Sequence, residues 1–162
     1  MRRPDILLDC VSTGPMKERS LLLVGNNYES LQSKYADSKN IVFTGPIPHI
    51  AIQPFLSKAR FGINFIIDRE PLNQQTSTKF LEYAACGLPV ISTRYRWIEK
   101  FQQQYGGNYF YLLPDLSNFT WENVNAFEYH RPDLSQWNWE HQIRRSGVLE
   151  FLKSKFEDLK MV

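Results

Sequence analysis

The chain has 162 residues, of which 43% are hydrophobic and 22% charged, and its formal net charge is +2. This length and composition are typical of one soluble domain with a single core, and the small charge argues against binding to nucleic acid or to an anionic membrane surface. No apolar run approaches the roughly 20 residues that span a bilayer, and Asp5 and Asp9 interrupt the short apolar stretch near the start, so we expect a cytoplasmic protein. Cys10 and Cys86 have no partner motif, which argues against a disulfide framework or a zinc site.

The hydrophobic pattern predicts strands and helices that alternate along the chain. Strands are expected at five apolar runs bounded by Gly, Pro or Asn, which are Leu21–Val24, Ile41–Thr44, Gly62–Ile67, Val90–Ser92 and Tyr109–Leu113. Helices are expected at 29–36, 54–60, 76–86, 96–105 and, as one long segment, 134–156. Pro54 suits the first turn of its helix, because proline lacks only an N–H that would be unpaired there. The alternation indicates an α/β fold with an open parallel sheet and helices on both faces.

Residues 1–133 are expected to form one domain, and a C-terminal helix within 134–162 is expected to pack on this domain or on another. Three loops follow predicted strands, namely Gly25–Asn27, Gly45–Pro48 and Asp68–Thr78. Ligands of open parallel sheets bind at the carboxyl ends of the strands, although a single glycine after a strand is more typical of a tight turn. The G-x-G-x-x-G pattern of dinucleotide binding is absent. No ligand or catalytic cluster is suggested by the scattered histidines, which are His49, His130 and His141.

The third loop leads into the segment "TSTKFLE" (76–82), which is suited to holding a phosphorylated ligand. Thr76, Ser77 and Thr78 can cap a helix whose free N–H groups attract anions. Lys79 opposes the helix dipole on the first turn unless an anion offsets it, and Glu82 lies about one turn further on the same face. The alternative is a capped helix with a solvated lysine or a weak Lys79–Glu82 ion pair, and the residues alone leave both interpretations open.

Two segments resemble the C-terminal, nucleotide-binding domain of GT-B glycosyltransferases of the family 4 or group 1 type. They are "FTGPIPHIAIQPFLSKARFGINFI" (43–66) and "TSTKFLEYAACGLPVIST" (76–93), the second of which is similar to the family pattern Pro-x-Lys-x-x-Glu-Tyr-x-Ala-x-Gly-x-Pro-Val. The likeness extends over about residues 5–115. It implies a Rossmann-like open parallel sheet that lacks its first strand. Because relatives place that strand centrally, we expect a groove or unpaired strand edges.

The resemblance also implies roles for individual residues. Glu82 matches the second acid of the family's E-x7-E motif, which accepts hydrogen bonds from the ribose hydroxyls. The first acid falls on Gln74, where this chain departs from the motif, and the departure puts contact with the transferred sugar in question. Thr76–Thr78 match the segment whose amides hold the diphosphate, Lys79 matches the lysine of a subgroup without the first acid, and Gly45–Ile47 match the loop that meets the base. The residues expected to line the site are therefore Gly25, Gly45, Pro46, Ile47, Gln74, Thr76, Ser77, Thr78, Lys79 and Glu82.

The implied function is the donor-binding half of a glycosyltransferase. Its partner would be a nucleotide-diphosphate sugar, whose sugar passes to a glycan or another acceptor with retention of configuration and without a metal or cofactor. The acceptor-binding N-terminal domain is missing from this chain, which we therefore expect to be inactive alone, and peripheral membrane association is expected only of the longer parent protein. Arg2 and Arg3 match a basic pair that clamps the diphosphate in relatives, or else belong to a disordered terminus.

The alternative is a non-catalytic nucleotide-sugar-binding or regulatory module, which the missing acceptor residues and the departure at Gln74 favour. A GT-B-fold epimerase is more remote, because it needs acids and histidines that this segment does not show.

Overall fold

A computed structural model of the protein describes residues 4–26 and 28–160. Arg2 and Arg3 lie outside the described residues. Two short 3-10 turns, His49–Ala51 and Leu72–Gln74, accompany the regular elements. In chain order these elements are α1 (Pro4–Ser12), β1 (Leu21–Leu23), α2 (Glu29–Lys34), β2 (Ile41–Phe43), α3 (Gln53–Lys58), β3 (Gly62–Asn64), α4 (Thr78–Ala85), β4 (Val90–Thr93), α5 (Arg96–Tyr105), β5 (Phe110–Leu112), α6 (Trp121–Ala126), α7 (Trp139–Arg145) and α8 (Val148–Lys160).

All five predicted strands are present and all their pairings are parallel, which confirms the α/β prediction. β1 pairs with β2, and β3, β4 and β5 pair in that order in a second ladder. Among the described residues, β1 is therefore paired only with β2, and β3 only with β4, so each has one edge without a strand neighbour. The expectation of unpaired edges is confirmed, since the strands do not form one continuous ladder.

One hydrophobic core joins the two ladders. Helix α1 contributes Leu7, Leu8 and Val11, whose exposed fractions are 6%, 0% and 3%. These side chains belong to the same buried cluster as Ile41 of β2 and Ile91 of β4. Because residues of α1 and of both ladders share this cluster, the ladders are parts of a single compact unit.

A second layer of helices covers the opposite face of the three-stranded ladder. Phe80 of α4 and Ile98 of α5 are fully buried, and Val90 of β4 is 1% exposed. Gly62 of β3 lies directly under Tyr83, where an added Cβ would come within 2.5 Å of the Tyr83 ring. The absence of a side chain at Gly62 thus lets α4 approach the sheet closely, and the prediction of helices on both faces is confirmed.

The contact between α1 and α2 is reinforced by a polar cluster. The hydroxyl of Tyr35 donates a hydrogen bond to Asp9 Oδ1 at 2.6 Å, and Lys34 Nζ contacts the same oxygen at 3.2 Å. The hydrogen bond from Tyr35 lowers the pKa of Asp9 below its usual value of 3.8, and Lys34 adds to the effect. Tyr35 itself is 6% exposed, whereas the Asp9 side chain is 56% exposed.

Replacing Tyr35 with phenylalanine is expected to lower the free energy of unfolding at pH 7 by about 1 kcal/mol, because Asp9 is too exposed for the full value of a charged hydrogen bond. A carboxyl group whose pKa is lower in the folded state than in the unfolded state stabilises the fold at pH values above its unfolded-state pKa. This contribution is lost as the pH falls through the folded-state pKa. The difference between wild type and variant should therefore shrink below pH 3.8. Urea denaturation of both proteins at several pH values measures it. A difference that persists at pH 2–3 would assign the effect of the Tyr35 hydroxyl to its hydrogen bond with the Asp5 carbonyl and not to the charge of Asp9.

Contacts divide the chain into two compact units, residues 1–132 and 133–162. Within residues 133–160 of the second unit the structure has two helices where the pattern predicted one, because Gly147 adopts a φ of +68° between α7 and α8. Ser146 ends α7, and its N–H bonds back to Gln142 O at 3.0 Å. Within this unit Trp139, Phe151 and Phe156 are 82%, 59% and 63% exposed.

Candidate functional site

The loops after β1 and β2 lie side by side at the carboxyl ends of their strands. The amide of Gly25 donates a hydrogen bond to Gly45 O at 3.1 Å. Gly25 and Gly45 have φ values of +138° and +69°, in the region that L side chains rarely adopt. Beyond Gly45, Pro46 is exposed and Ile47 is half-buried. The structure therefore brings the predicted loop residues Gly25 and Gly45 together.

A cavity of about 200 Å³ lies where the β3–α4 connection enters α4. Its lining includes the predicted residues Thr76, Ser77, Thr78 and Lys79. It also includes Ile66, Leu72 and Gln75, which sequence reasoning did not single out. Gly25, Gly45–Ile47, Gln74 and Glu82 are not part of this lining.

The first turn of α4 is capped by the middle of its three hydroxyl residues. Ser77 is the N-cap, with φ −90° and ψ 101°, and its hydroxyl oxygen accepts a hydrogen bond from the Phe80 amide at 3.4 Å. Ser77 is 5% exposed, whereas Thr76 and Thr78 are exposed and Lys79 is partly buried. Amide groups at the start of a helix are suited to an anion, and the lining of the cavity includes the first two residues of α4, Thr78 and Lys79.

A buried polar network lies beneath this capped turn. The side chain of Asn64 on β3 is bonded to Ser77, to Ser92 of β4 and to Tyr95, the residue before α5. Asn64 and Ser92 are completely buried. Sequence reasoning missed the network. Its one signal was an asparagine in the middle of the apolar run "FGINFI" (61–66), which is unusual in a strand buried on both faces.

Glu82 is linked to the loop after β2. Its Oε1 lies 3.0 Å from Nε2 of His49, and the side chains of Glu82 and His49 are 38% and 82% exposed. His49 directly follows the Gly45–Pro48 loop, so the pair connects this loop to α4. His49 lies at the surface, and no spacing rule would have paired residues 33 positions apart. A contact this exposed contributes little to stability.

Gln74 lies at the end of the second 3-10 turn, on the exposed side of the β3–α4 connection. Its Nε2 donates a hydrogen bond to Glu70 Oε1 at 2.9 Å. The side-chain amide of Gln74 therefore lies next to the carboxylate of Glu70.

Comparison with known families gives a match. The model of the family described as Glycosyl transferases group 1 matches residues 3–120, well over half of the chain. The chain belongs to the group 1 glycosyltransferases. No curated protein and no solved structure matches it. In this glycosyltransferase chain the matched range contains the cavity, Glu82, His49 and the Asn64 network, whereas α7 and α8 lie beyond it.

Within residues 4–26 and 28–160 of this glycosyltransferase chain, no helix is long and apolar enough to cross a membrane. In the same part of the chain, no three or more His, Cys, Asp or Glu side chains cluster as a metal site requires.

Proposed function

We propose that this group 1 glycosyltransferase domain binds the nucleotide-diphosphate part of a sugar donor at the carboxyl ends of its strands. The observation that carries the proposal is the cavity at the start of α4, which is lined by Thr76–Lys79. A diphosphate placed there would meet amide groups, hydroxyls and a lysine, while Glu82 one turn further would accept hydrogen bonds from the ribose. The loop after β2, joined to Glu82 through His49, would meet the base.

In sugar transfer, the diphosphate is the leaving group and gains negative charge as the glycosidic bond breaks. Hydrogen-bond donors that are already aimed at it stabilise that charge without reorganising. The amides of the first α4 turn and Lys79 would supply this stabilisation. By resemblance to the family, we propose retention of configuration at the anomeric carbon and no metal requirement. Acceptor binding would come from a domain outside this chain.

A ligand panel tests the proposal on the 162-residue chain. UDP, GDP and ADP are compared with their nucleosides by thermal shift. At 100 times its dissociation constant, a ligand that binds only the folded state stabilises by about 2.7 kcal/mol. We expect at least one diphosphate to raise the melting temperature and its nucleoside to raise it less. If none of the diphosphates stabilises the protein, the proposed site is wrong.

Replacing Lys79 with alanine is expected to weaken binding of the stabilising diphosphate about tenfold, as the loss of one charged contact implies. Affinity for the corresponding nucleoside should change little, because the phosphates are the part of the ligand that the lysine would contact. Titration calorimetry on folded protein measures both constants. The matched control is Lys58→Ala at the exposed end of α3, which should leave both unchanged. Equal losses for nucleoside and diphosphate would remove Lys79 from the phosphate site.

A further inference from the structure

The side chain of Asn64 uses its hydrogen-bonding groups entirely inside the protein. Its Nδ2 donates to Ser92 Oγ and to Tyr95 Oη, both at 3.0 Å, and its Oδ1 accepts from Ser77 Oγ at 2.8 Å. Asn64 is completely buried, so it is not placed to touch a ligand. An amide in this position is costly unless every partner is present. An apolar residue of the same size would avoid that cost, so packing alone does not account for asparagine here.

The bond between Asn64 and Ser77 sets the geometry of the α4 cap. The single hydroxyl hydrogen of Ser77 is directed to Asn64 Oδ1, which leaves the oxygen lone pairs to face the amide of Phe80. Ser77 is thus held on one side by β3 and on the other by α4. The neighbouring Thr76, Thr78 and Lys79 line the cavity, so their positions relative to the sheet depend on this anchored serine.

We propose that Asn64 is a positioning residue, which fixes the first turn of α4 against β3 and so preorganises Thr76–Lys79 for a diphosphate. This inference rests on the proposed function. Groups that bind a charged ligand must be held within about 0.5 Å of their working positions by neighbours that do not themselves touch the ligand. Asn64 meets that description, since it bonds the cap residue and is shielded from solvent.

Two variants separate positioning from general stability. Asn64→Leu removes the acceptor of the Ser77 hydroxyl. Tyr95→Phe removes the hydroxyl that accepts a hydrogen bond from Asn64 Nδ2 and leaves the Asn64–Ser77 bond intact. Binding of inorganic pyrophosphate to the full chain is measured by calorimetry. We expect Asn64→Leu to weaken it about tenfold, the equivalent of one hydrogen bond, and Tyr95→Phe to change it less than about twofold. Equal affinities in the two folded variants would overturn the proposal.

Hydrogen exchange gives a readout that needs no ligand. In the unliganded chain, the Phe80 amide should exchange faster in Asn64→Leu than in wild type or Tyr95→Phe, because its cap is released. Unchanged exchange in Asn64→Leu would overturn the positioning role.

Failure of the inference can be told from failure of the proposed function. If wild type binds neither pyrophosphate nor any nucleoside diphosphate, the proposed function is wrong, and exchange at Phe80 alone decides whether Asn64 anchors the turn. If Asn64→Leu does not fold, Ser77→Ala breaks the same bond from the other side and should reproduce the loss of pyrophosphate affinity. Wild-type affinity in folded Ser77→Ala would overturn the proposal.

Discussion

Replacing Phe80 with alanine is expected to lower the free energy of unfolding by about 3–5 kcal/mol, the range for large aromatic residues in a core. Phe80 is 0% exposed and is the meeting point of an aromatic cluster on the helical side of the sheet. Its ring centroid lies 5.6 Å from Trp97, 5.1 Å from Phe101 and 5.0 Å from Tyr109, each in edge-to-face geometry. Alanine would lose these contacts and leave a cavity that the rigid sheet cannot fill.

Urea denaturation followed by tryptophan fluorescence measures this loss, because Trp97 belongs to the cluster and reports on its packing. The control of matched residue type is Phe156→Ala on α8, where the side chain is 63% exposed. It should change stability by less than about 0.5 kcal/mol. A loss below about 1 kcal/mol in Phe80→Ala would mean that the aromatic cluster repacks around the vacancy.

Replacing Glu82 with alanine is expected to weaken binding of a nucleoside diphosphate by about 1.5–3 kcal/mol, the scale of hydrogen bonds to a charged group. The side chain is partly exposed and contacts His49, which follows the loop after β2, so its removal should leave the fold intact. His49→Ala is the matching control, because it removes the same contact and keeps the carboxylate. We expect that variant to lose much less affinity than Glu82→Ala.

A comparison of UDP with 2′-deoxy-UDP, or of the equivalent pair for whichever base binds, tests the ribose contact directly. If Glu82 accepts a hydrogen bond from the 2′-hydroxyl, the penalty of Glu82→Ala should be smaller for the deoxy ligand. An identical penalty for both ligands would show that the carboxylate does not touch that hydroxyl. Unchanged affinities for both, in folded protein, would remove Glu82 from the site.

Much of the fold could be predicted from local pattern. The runs that became β1–β5 are short, apolar and closed by Gly, Pro or Asn, and such runs alternating with helical segments indicate a parallel sheet. The break at Ser146–Gly147 was missed. A single glycine in a helical pattern is often tolerated, and only the left-handed conformation of Gly147 shows that the chain ends one helix and begins another.

The candidate site was predictable only in part. The hydroxyl residues before α4 could be read as caps, because capping depends on neighbours in sequence. The sequence did not show which of them is the cap, nor that the cap residue, Ser77, donates a hydrogen bond to Asn64 of β3. The contact of His49 with Glu82 could not be predicted from the sequence either, since it joins residues that are 33 positions apart.

The amino-acid sequence by itself therefore determined the order and type of the main elements, the hydroxyl-rich start of α4 and the resemblance to glycosyltransferases. These depend on periodicity, turn residues and the order of residue types, all of which are local properties. The tertiary structure alone decided that the strands form two ladders around one core, that Asn64 anchors the cap of α4, and that Glu82 faces His49. Each of these is a contact between residues distant in sequence, and such contacts exist only after the strands and helices have packed against one another.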